Sequence, residues 1–421
     1  MKEILFFADN NPRDASTWSN VPCCFVNALE DKGYQVRTFS TYPNRKWVLL
    51  YDKFMRLILD FIMYPITRKR TVYFGYSRLY QWIGERKIKK TVKKHPNADY
   101  CFFMNYLFYN KYNDIPSLLF GDWTVEMGLE RRGVKPSVFQ KRCIQKEREA
   151  IENAEYTISI FPQCAEIMKE KYTKGNIHYL GGNFINDLSG LRLKRKDQCV
   201  MSKDDTGNNK NKQINPDSLH LTPYTLHSSN EIIVEDLIEK KEKSNKVLFI
   251  GKPDRYKESA IKVIEAICLL QSQKNFSDIE LNIIGISKDQ LPPVPDFVHC
   301  RGFLHKDNKQ ECSLYYKLLM ESKVIVNPTP KWAAYSSTIE ALYFCTPLIV
   351  SPYDDFVAEF GKNITFGFYN HVFNKECIAE NIKKVLTITN YKKMSMDAHN
   401  IVREYTWDIY VNKIIYLIEL D

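Results

Sequence analysis

The chain is poor in the residue patterns that support metal sites, disulfide frameworks and nucleophilic catalysis. Its 11 cysteines are scattered over 421 residues, odd in number, and include no C-x-x-C pair or Cys/His cluster at zinc spacing. The eight histidines form no H-E-x-x-H pattern, and neither a Walker A motif nor a paired-carboxylate hydrolase signature stands out. The cysteine pattern predicts free, buried thiols in a reducing compartment.

Long apolar runs are missing as well. No stretch of about 20 uncharged apolar residues occurs, which argues against a membrane-spanning helix. The opening MKEILFFADN is too short an apolar run for a secretory signal and is typical of the first strand of an α/β sheet. We therefore expect a cytoplasmic protein, and its length predicts two domains.

Positive charge is concentrated in one place. The formal net charge is +10, and Arg45–Lys94 alone holds 14 Lys or Arg against three acids. Apolar residues from Trp47 to Tyr64 recur at roughly helical spacing, and Arg68, Lys69 and Arg70 follow. This basic amphipathic pattern predicts peripheral binding to an anionic membrane surface. The alternative is a core helix beside a solvated charged face; no nucleic-acid motif occurs, so no nucleic-acid partner is expected.

Strand and helix patterns alternate twice along the chain, from Glu3 to Leu180 and again from Lys246. Such alternation predicts parallel sheets covered by helices on both faces. Between the two series, Lys196–Asn245 contains DDTGNNKNKQ, a low-complexity polar run without an apolar period. We expect that segment to be flexible and assign it no chemistry.

The most informative stretch is VIVNPTPKWAAYSSTIEALYFCTPLIVSPYDD, from Val324 to Asp355. An apolar strand enters a loop, a hydroxyl cluster precedes a helix carrying Glu340, and a second apolar strand, Pro347–Ser351, follows. A helix start presents unpaired N–H groups and a positive dipole end, which suits a phosphate. The alternative is a capping box between Ser337 and Glu340, which needs no ligand.

This stretch resembles the sugar-nucleotide site of the family-4 retaining glycosyltransferases. Glu340-Ala341-Leu342 and the segment Cys345–Ser351 match the second half of that family's signature, whereas its first acidic position falls on Trp332. The resemblance implies the α/β GT-B fold, in which two Rossmann-like domains face each other across a cleft and a C-terminal helix crosses back to the N-domain. It also implies that no metal or other cofactor is needed.

The resemblance and the composition together divide the chain into four parts. Residues 1–185 are predicted to form an acceptor-side Rossmann-like domain, and residues 186–245 a polar insertion or linker. Residues 246–403 are predicted to form the nucleotide-sugar-binding domain. The Tyr405-Thr406-Trp407 entry resembles the start of the family's crossover helix, which gives 404–421 as the last part.

The predicted donor site lies in the second domain. Cations after a strand offset the charge of a nucleotide diphosphate and then stabilise the leaving group. The residues predicted to hold donor phosphates are Lys252, Arg255, Lys257, Ser336, Ser337 and Thr338. Glu340 is predicted to contact the ribose and to serve catalysis. Gly302 and Phe303 resemble the loop beside the nucleotide base, although Phe303 also suits a core position. The alternative for Lys252 and Lys257 is an ordinary pair of surface lysines, which is common.

The predicted acceptor site lies in the first domain. Gly121-Asp122-Trp123-Thr124 resembles an Asp-x-Thr turn beside the family's cleft, where Asp122 would bind a sugar hydroxyl or draw off its proton. The alternative is that Asp122 caps the following turn. The other residues predicted to line the acceptor side are Ser16, Thr17, Asn20, Asn105 and Thr124. The loop Asn11–Asn20 contains no glycine, unlike the family's loop at this place.

These features predict a glycosyltransferase of cell-surface glycan synthesis. It would move a sugar from a nucleotide-diphosphate donor to a saccharide or lipid-linked acceptor, with retention, at the inner face of the membrane. Two alternatives remain open at this point. One is a degenerate GT-B protein that binds a glycan or a partner glycosyltransferase, which Trp332 and the unusual first loop favour. The other is a sugar-nucleotide epimerase.

Overall fold

The computed structural model describes residues 2–14, 17–43, 45–55, 57, 74–181, 192–194, 231–306, 308–330 and 336–419. The chain forms two compact units. Unit 1 comprises Met1–Gly182 together with Trp407–Asp421, and unit 2 comprises Asn183–Thr406. No helix among the described residues is long and apolar enough to cross a bilayer.

Unit 1 is built on a six-stranded sheet in the order β2-β1-β3-β4-β5-β6, and every neighbouring pair is parallel. The strands are β1 (Glu3–Ala8), β2 (Gln35–Ser40), β3 (Tyr100–Phe103), β4 (Ser117–Gly121), β5 (Tyr156–Ser159) and β6 (Ile177–His178). β1, β3, β4 and β5 are buried almost throughout, as is typical of parallel sheets that helices cover on both faces.

The helices of unit 1 alternate with these strands. They are α1 (Val21–Asp31), α2 (Arg45–Met55), α3 (Arg78–Lys94), α4 (Val125–Glu130), α5 (Val138–Asn153) and α6 (Pro162–Lys171). Clear caps start three of them, from the side chains of Ser77, Thr124 and Ser137. The remainder of the predicted helix Trp47–Tyr64 lies outside the described residues, apart from Leu57.

The last helix of the chain, α14 (Trp407–Glu419), packs on unit 1. The Trp407 ring stacks on Phe25 of α1 at 5.4 Å between centroids, and the Tyr100 hydroxyl donates to the Ile418 carbonyl at 2.8 Å. The prediction that the C-terminal helix crosses back to the N-domain is therefore confirmed. The helix begins at Trp407, the last residue of the Tyr405-Thr406-Trp407 entry.

Unit 2 contains a second six-stranded parallel sheet, in the order β11-β10-β9-β12-β13-β14. Its strands are β9 (Lys246–Ile250), β10 (Glu280–Ile284), β11 (Val298–Cys300), β12 (Val324–Asn327), β13 (Leu348–Val350) and β14 (Gly367–Tyr369). Two similar α/β sheets confirm the predicted fold class.

Helices also alternate with the strands of unit 2. They are α7 (Val234–Glu242), α8 (Pro253–Gln271), α9 (Lys309–Glu321), α10 (Ser336–Tyr343), α11 (Asp354–Phe360), α12 (Lys375–Thr387) and α13 (Tyr391–Val402). A small parallel pair, β7 (Arg192–Lys194) with β8 (Glu231–Ile233), precedes them.

The last part of the predicted flexible segment is ordered, so the expectation is wrong for α7. Val234, Leu237 and Ile238 of this helix are buried at helical spacing. Lys241, on the same buried face, donates three hydrogen bonds: to the carbonyls of Leu319 and Ser322 at 2.6 and 2.8 Å, and to the Thr346 hydroxyl at 2.8 Å. Lys241 thereby joins the carboxyl end of α9 to the turn before β13, and burial lowers its pKa to about 7.

Each sheet has one point at which the strand order reverses. In unit 1 the reversal lies at β1, whose neighbours are β2 and β3, and in unit 2 it lies at β9, between β10 and β12. Ligands of open α/β sheets bind outside the carboxyl ends of the strands at such points. Ligand sites are therefore expected at the loops that follow β1 and β9.

Candidate functional site

A cavity of about 340 Å³ opens at the carboxyl ends of β1, β3 and β4 in unit 1. Its lining residues come from the loops after these strands and from α1 and α5: Ala8, Asp9, Asn10, Thr17, Trp18, Pro22, Met104, Asn105, Tyr106, Gly121, Asp122, Trp123 and Glu147. This volume falls at the small end of the usual range for ligand pockets, about 300–1,000 Å³.

Asp9, directly after β1, is held by two donors on one side of its carboxylate. Oδ1 accepts from the Tyr80 hydroxyl at 2.8 Å and from Asn105 Nδ2 at 3.1 Å. The residue keeps exposed surface, but protein atoms crowd its carboxyl, and this desolvation raises the pKa of Asp9. The sequence prediction included Asn105 and missed Asp9, although a polar residue directly after a buried strand was a signal for it.

Asp122 follows β4 and lies at the wall of the same cavity. Its Oδ1 accepts from the Trp123 backbone N–H at 2.7 Å, and burial raises the pKa of its carboxyl. The cap of α4 is Thr124, whose hydroxyl accepts from the Met127 N–H. Thr124, rather than Asp122, is therefore the N-cap of α4, while Asp122 bonds to the backbone of the turn before that helix. Thr124 is 1% exposed and is absent from the cavity lining, which argues against its predicted acceptor contact.

Glu147, on α5, is a second buried acid that the sequence prediction missed. It is 5% exposed, and its Oε2 accepts from the Val125 N–H at 2.8 Å. Burial is the main cause that raises the pKa of Glu147 to about 8, and the negative charges of Glu126 and Asp122 act in the same direction. A signal existed, because Glu147 falls on the buried stripe of α5 with Cys143 and Ala150.

The loop after β1 has an unusual backbone. Trp18 and Asn20 have φ of 41° and 71°, in the left-handed region that non-glycine residues seldom adopt. Each such residue costs on the order of 1 kcal/mol or more, and such residues cluster at functional sites. Thr17 lines the cavity as predicted, and its hydroxyl donates to the Asn11 carbonyl at 2.8 Å. Asn20 is not in the lining, and Ser16 lies outside the described residues.

We expect Glu147→Gln to stabilise the protein at pH 8 and to leave its stability nearly unchanged at pH 4. Unfolded Glu147 ionises near its ordinary pKa of 4.5, whereas the folded group holds its proton to about pH 8. Binding of this proton stabilises the folded state fully below pH 4.5, and this stabilisation is lost as the pH rises through 8. The variant avoids this loss, so its melting temperature should exceed the parent's at pH 8 by about 2 °C or more. An equal difference at both pH values, or one shared by the exposed Glu166→Gln, would contradict this expectation.

The predicted phosphate-binding helix start in unit 2 is α10. The helix begins at Ser336; Ser336 and Ser337 are partly exposed and Thr338 is buried. The loop before it, including Trp332, lies outside the described residues. Because Ser337 lies inside the first turn and Glu340 has other partners, the capping-box alternative is wrong.

Glu340 is 1% exposed and lies in a polar cluster. Its Oε1 accepts from Lys306 Nζ at 2.6 Å, and its Oε2 accepts from the Tyr315 hydroxyl at 2.5 Å. The Lys306 ammonium also lies 4.4 Å from the centre of the Tyr315 ring. Sequence reasoning missed Lys306 and Tyr315. A carboxylate offers about four acceptor positions, so these two bonds leave room for a ribose hydroxyl, and that role of Glu340 stays a prediction.

A cation and an exposed aromatic ring meet at the carboxyl edge of the second sheet. Lys252 directly precedes α8, and its Nζ lies 5.3 Å from the centre of the Phe303 ring, which is 54% exposed. The core alternative for Phe303 is therefore wrong. Gly302 has φ of 63°, and a Cβ on Gly285 would lie 2.5 Å from the Gly251 carbonyl oxygen. Glycine at these turns thus permits the close approach of the loops after β9, β10 and β11.

The remaining predicted phosphate ligands are Arg255 and Lys257, which are exposed in the first turns of α8. Arg255 lies 3.9 Å from the Asp254 carboxylate. Their contact with a diphosphate stays a prediction. Among the described residues, no group of three or more His, Cys, Asp or Glu side chains has the arrangement of a metal site.

No protein-family model and no curated protein matches this chain in sequence. Solved structures do match it in fold. A sucrose-phosphate synthase from Thermosynechococcus elongatus has a TM-score of 0.59 at 13% identity, covering 100% of this chain and 99% of its own. WaaG, a glycosyltransferase involved in lipopolysaccharide biosynthesis, has a TM-score of 0.58 at 13% identity, with coverage of 99% and 98%. HepE from Anabaena, solved with UDP and glucose, has a TM-score of 0.56 at 10% identity and full coverage of both chains. The chain thus has the GT-B fold, as the sequence resemblance implies.

Proposed function

We propose that this protein is a glycosyltransferase that moves a sugar from a nucleotide-diphosphate donor to a saccharide or lipid-linked acceptor. The observation that carries the proposal is the acid-lined cavity of unit 1, at the carboxyl edge of a sheet in a chain of GT-B fold. Asp9 and Asp122 lie at the starts of the loops after β1 and β4 and can bind sugar hydroxyls. The side chains and the helix start at the carboxyl edge of the second sheet, in unit 2, suit the nucleotide-sugar donor.

The donor half of the proposal rests on three features of unit 2. The exposed Phe303 ring offers a stacking surface for a nucleobase, and Lys252 beside it offers a cation for the adjoining phosphate. The α10 start adds backbone N–H groups after β12, the strand next to β9. Glu340 lies in the first turns of that helix, where Lys306 and Tyr315 hold its carboxylate, and in this proposal it accepts a hydrogen bond from a ribose hydroxyl.

In the acceptor half of the proposal, Asp122 binds the attacking hydroxyl. A carboxylate within hydrogen-bond reach of the attacking hydroxyl orients it and can take its proton. Retention, by analogy with the resembling family, would let the leaving phosphate assist the incoming hydroxyl on one face of the donor sugar. No protein nucleophile is then needed, and no metal, because lysines and helix N–H groups stabilise the leaving diphosphate.

The test is turnover of a panel of UDP-, GDP- and ADP-sugars by the full chain, with and without neutral saccharide acceptors. Transfer supports the proposal. Nucleotide or glycan binding without any turnover would favour the degenerate GT-B alternative instead. Interconversion of donor sugars with no acceptor present would identify an epimerase.

We expect Lys257→Ala and Lys252→Ala each to weaken nucleoside-diphosphate binding by about tenfold or more. Each change removes a charge-assisted contact to phosphate, and tenfold corresponds to about 1.4 kcal/mol. Calorimetric titration of UDP, GDP and ADP measures it. Lys274→Ala is the matched control, because Lys274 is an exposed lysine beyond the carboxyl end of α8. Unchanged affinity in either variant would remove that lysine from the site.

We also propose that α2 holds unit 1 on the anionic inner face of a membrane. Tyr51 of α2 packs on Phe74 at 5.0 Å, while Leu49, Leu50 and Phe54 are 57%, 58% and 59% exposed. The segment Arg45–Lys94 around them carries a net charge of +11. Apolar side chains beside basic ones favour the interface of an anionic bilayer.

We expect the triple change Leu49→Ser, Leu50→Ser and Phe54→Ser to release the protein from anionic vesicles. Burial of these side chains contributes on the order of 1.5–3 kcal/mol each, which serine does not supply. Co-sedimentation with phosphatidylglycerol vesicles measures it, and phosphatidylcholine vesicles test the charge requirement. Val138→Ser is the control, since Val138 is 81% exposed elsewhere on unit 1. Equal sedimentation of the triple variant and the parent would leave α2 with a purely structural role.

A further inference from the structure

The cavity of unit 1 has an unusual charge for this protein. Its 13 lining residues include three acids, Asp9, Asp122 and Glu147, and no lysine, arginine or histidine. The whole chain, by contrast, contains 60 Lys or Arg and has a net charge of +10. Glu147 keeps its proton up to about pH 8, so Asp9 and Asp122 are the acids that give this cavity a negative potential within a basic protein.

The bonds of these acids leave carboxyl oxygens available to a ligand. The Oδ1 atoms of Asp9 and Asp122 have protein donors, as does Oε2 of Glu147. The Thr41 hydroxyl also hydrogen-bonds to the Asp9 carboxyl, and the backbone of Asp122 to its own carboxyl. A carboxylate offers about four acceptor positions, so sugar hydroxyls can still donate to these groups. Glu147 is 5% exposed and lines the cavity, where its carboxyl can also exchange a hydrogen bond with a ligand.

Part of the remaining wall is apolar, beside the polar side chains of Asn10, Thr17 and Asn105. Trp18, Pro22 and Met104 supply the apolar surface, and the Trp18 ring packs on Phe120 at 5.9 Å. The Tyr106 hydroxyl is used internally, since it donates to the carbonyls of Gly121 and Ile158. An apolar wall facing carboxyl oxygens matches the apolar ring face and the hydroxyl edge of a pyranose.

We propose that this cavity selects its acceptor by charge: it admits an uncharged sugar ring and rejects sugars that carry a carboxylate or a phosphate. The inference rests on the proposed function, because it takes the cavity as the acceptor site. A neutral sugar donates hydroxyl hydrogens to the carboxyl oxygens. An anionic group in the same place would lie beside Asp9 and Asp122, and the described residues that line the cavity include no cation to compensate it. Such like-charge contacts are strongly unfavourable.

The test measures sugar binding to the full-length protein without any donor. Saturation-transfer NMR titrations compare neutral methyl glycosides of glucose, galactose and mannose with the matching uronates and 6-phosphates. We expect at least one neutral glycoside to bind, and its anionic counterparts to bind at least about tenfold more weakly. Binding of an anionic sugar as tightly as its neutral counterpart overturns the proposal, and so does a failure of every neutral glycoside to bind.

A variant tests whether the carboxylates cause the discrimination. The double change Asp9→Asn and Asp122→Asn keeps side chains of the same shape and removes two charges, so the difference between neutral and anionic sugars should shrink to about threefold or less. Asp31→Asn is the matched control, because Asp31 is exposed at the end of α1 and outside the cavity. Undiminished discrimination in a folded double variant overturns the assignment to these acids.

Failure of this inference is distinguishable from failure of the proposed function. Transfer that is observed only onto anionic acceptors would overturn the charge selection and leave the glycosyltransferase assignment standing. Charge-selective binding of neutral sugars by a protein that never turns over a nucleotide sugar would support the selection and refute the assignment.

Discussion

Replacing Asp122 by Asn is expected to reduce sugar transfer by about 100-fold or more, with little change in nucleotide binding. A positioned acid–base group typically contributes 10²- to 10⁴-fold to a rate, and the amide cannot accept a proton. The amide oxygen can still accept the Trp123 N–H that Asp122 Oδ1 accepts at 2.7 Å, so the turn should keep its shape. Initial rates at saturating donor and calorimetric binding of the nucleotide measure the two effects separately.

The control for this change is Asp31→Asn, an exposed substitution that should leave both quantities unaltered. The neighbouring acids sharpen the test. If Asp9 rather than Asp122 supplies the base, Asp9→Asn will show the large loss and Asp122→Asn a small one. A transfer rate within threefold of the parent in both variants would refute a role for these carboxylates in the chemistry.

Glu340→Ala is expected to destabilise the protein by on the order of 2–3 kcal/mol, whatever its effect on catalysis. The change leaves the buried Tyr315 hydroxyl and the mostly buried Lys306 ammonium without their acceptor. Removing one partner of a buried charged pair costs about 3–5 kcal/mol, and the partial exposure of Lys306 lowers that figure.

A double-mutant cycle separates structure from function at this cluster. Lys306→Met with Glu340→Gln removes the charge pair together, so the double variant should be more stable than the sum of the two single changes implies, by about 1 kcal/mol or more. Melting temperatures measure the coupling, and nucleotide titrations measure binding. Additive effects would show that Lys306 and Glu340 do not interact. Full nucleotide affinity in the folded double variant would remove the predicted ribose contact.

Local pattern was sufficient to predict most of the fold. Apolar runs such as Glu3–Ala8 and Lys246–Ile250 are strands in the structure at the predicted positions, because strands covered on both faces need uninterrupted apolar residues. The pattern is misleading at Val234–Glu242. This short amphipathic helix follows a polar run, and the sequence predicts that both belong to one flexible segment. Three apolar residues alone are weak evidence for a helix. Their burial depends on packing against neighbouring elements, which the local sequence does not show.

The sequence by itself determined the parallel α/β architecture, the crossover of the last helix, the concentration of positive charge and several residues of each site, including Asp122, Asn105 and Phe303. The crossover and the assignments of Asp122 and Phe303 rest on the resemblance to a known family. The other features follow from composition, periodicity and short motifs, which are local. Only the tertiary structure decided that Asp9 and Glu147 join Asp122 in one cavity and that Lys306 and Tyr315 bind Glu340. Residues separated by 25 to more than 100 positions meet in these clusters because parallel strands bring the loops at their carboxyl ends to a common edge, and no local pattern encodes that proximity.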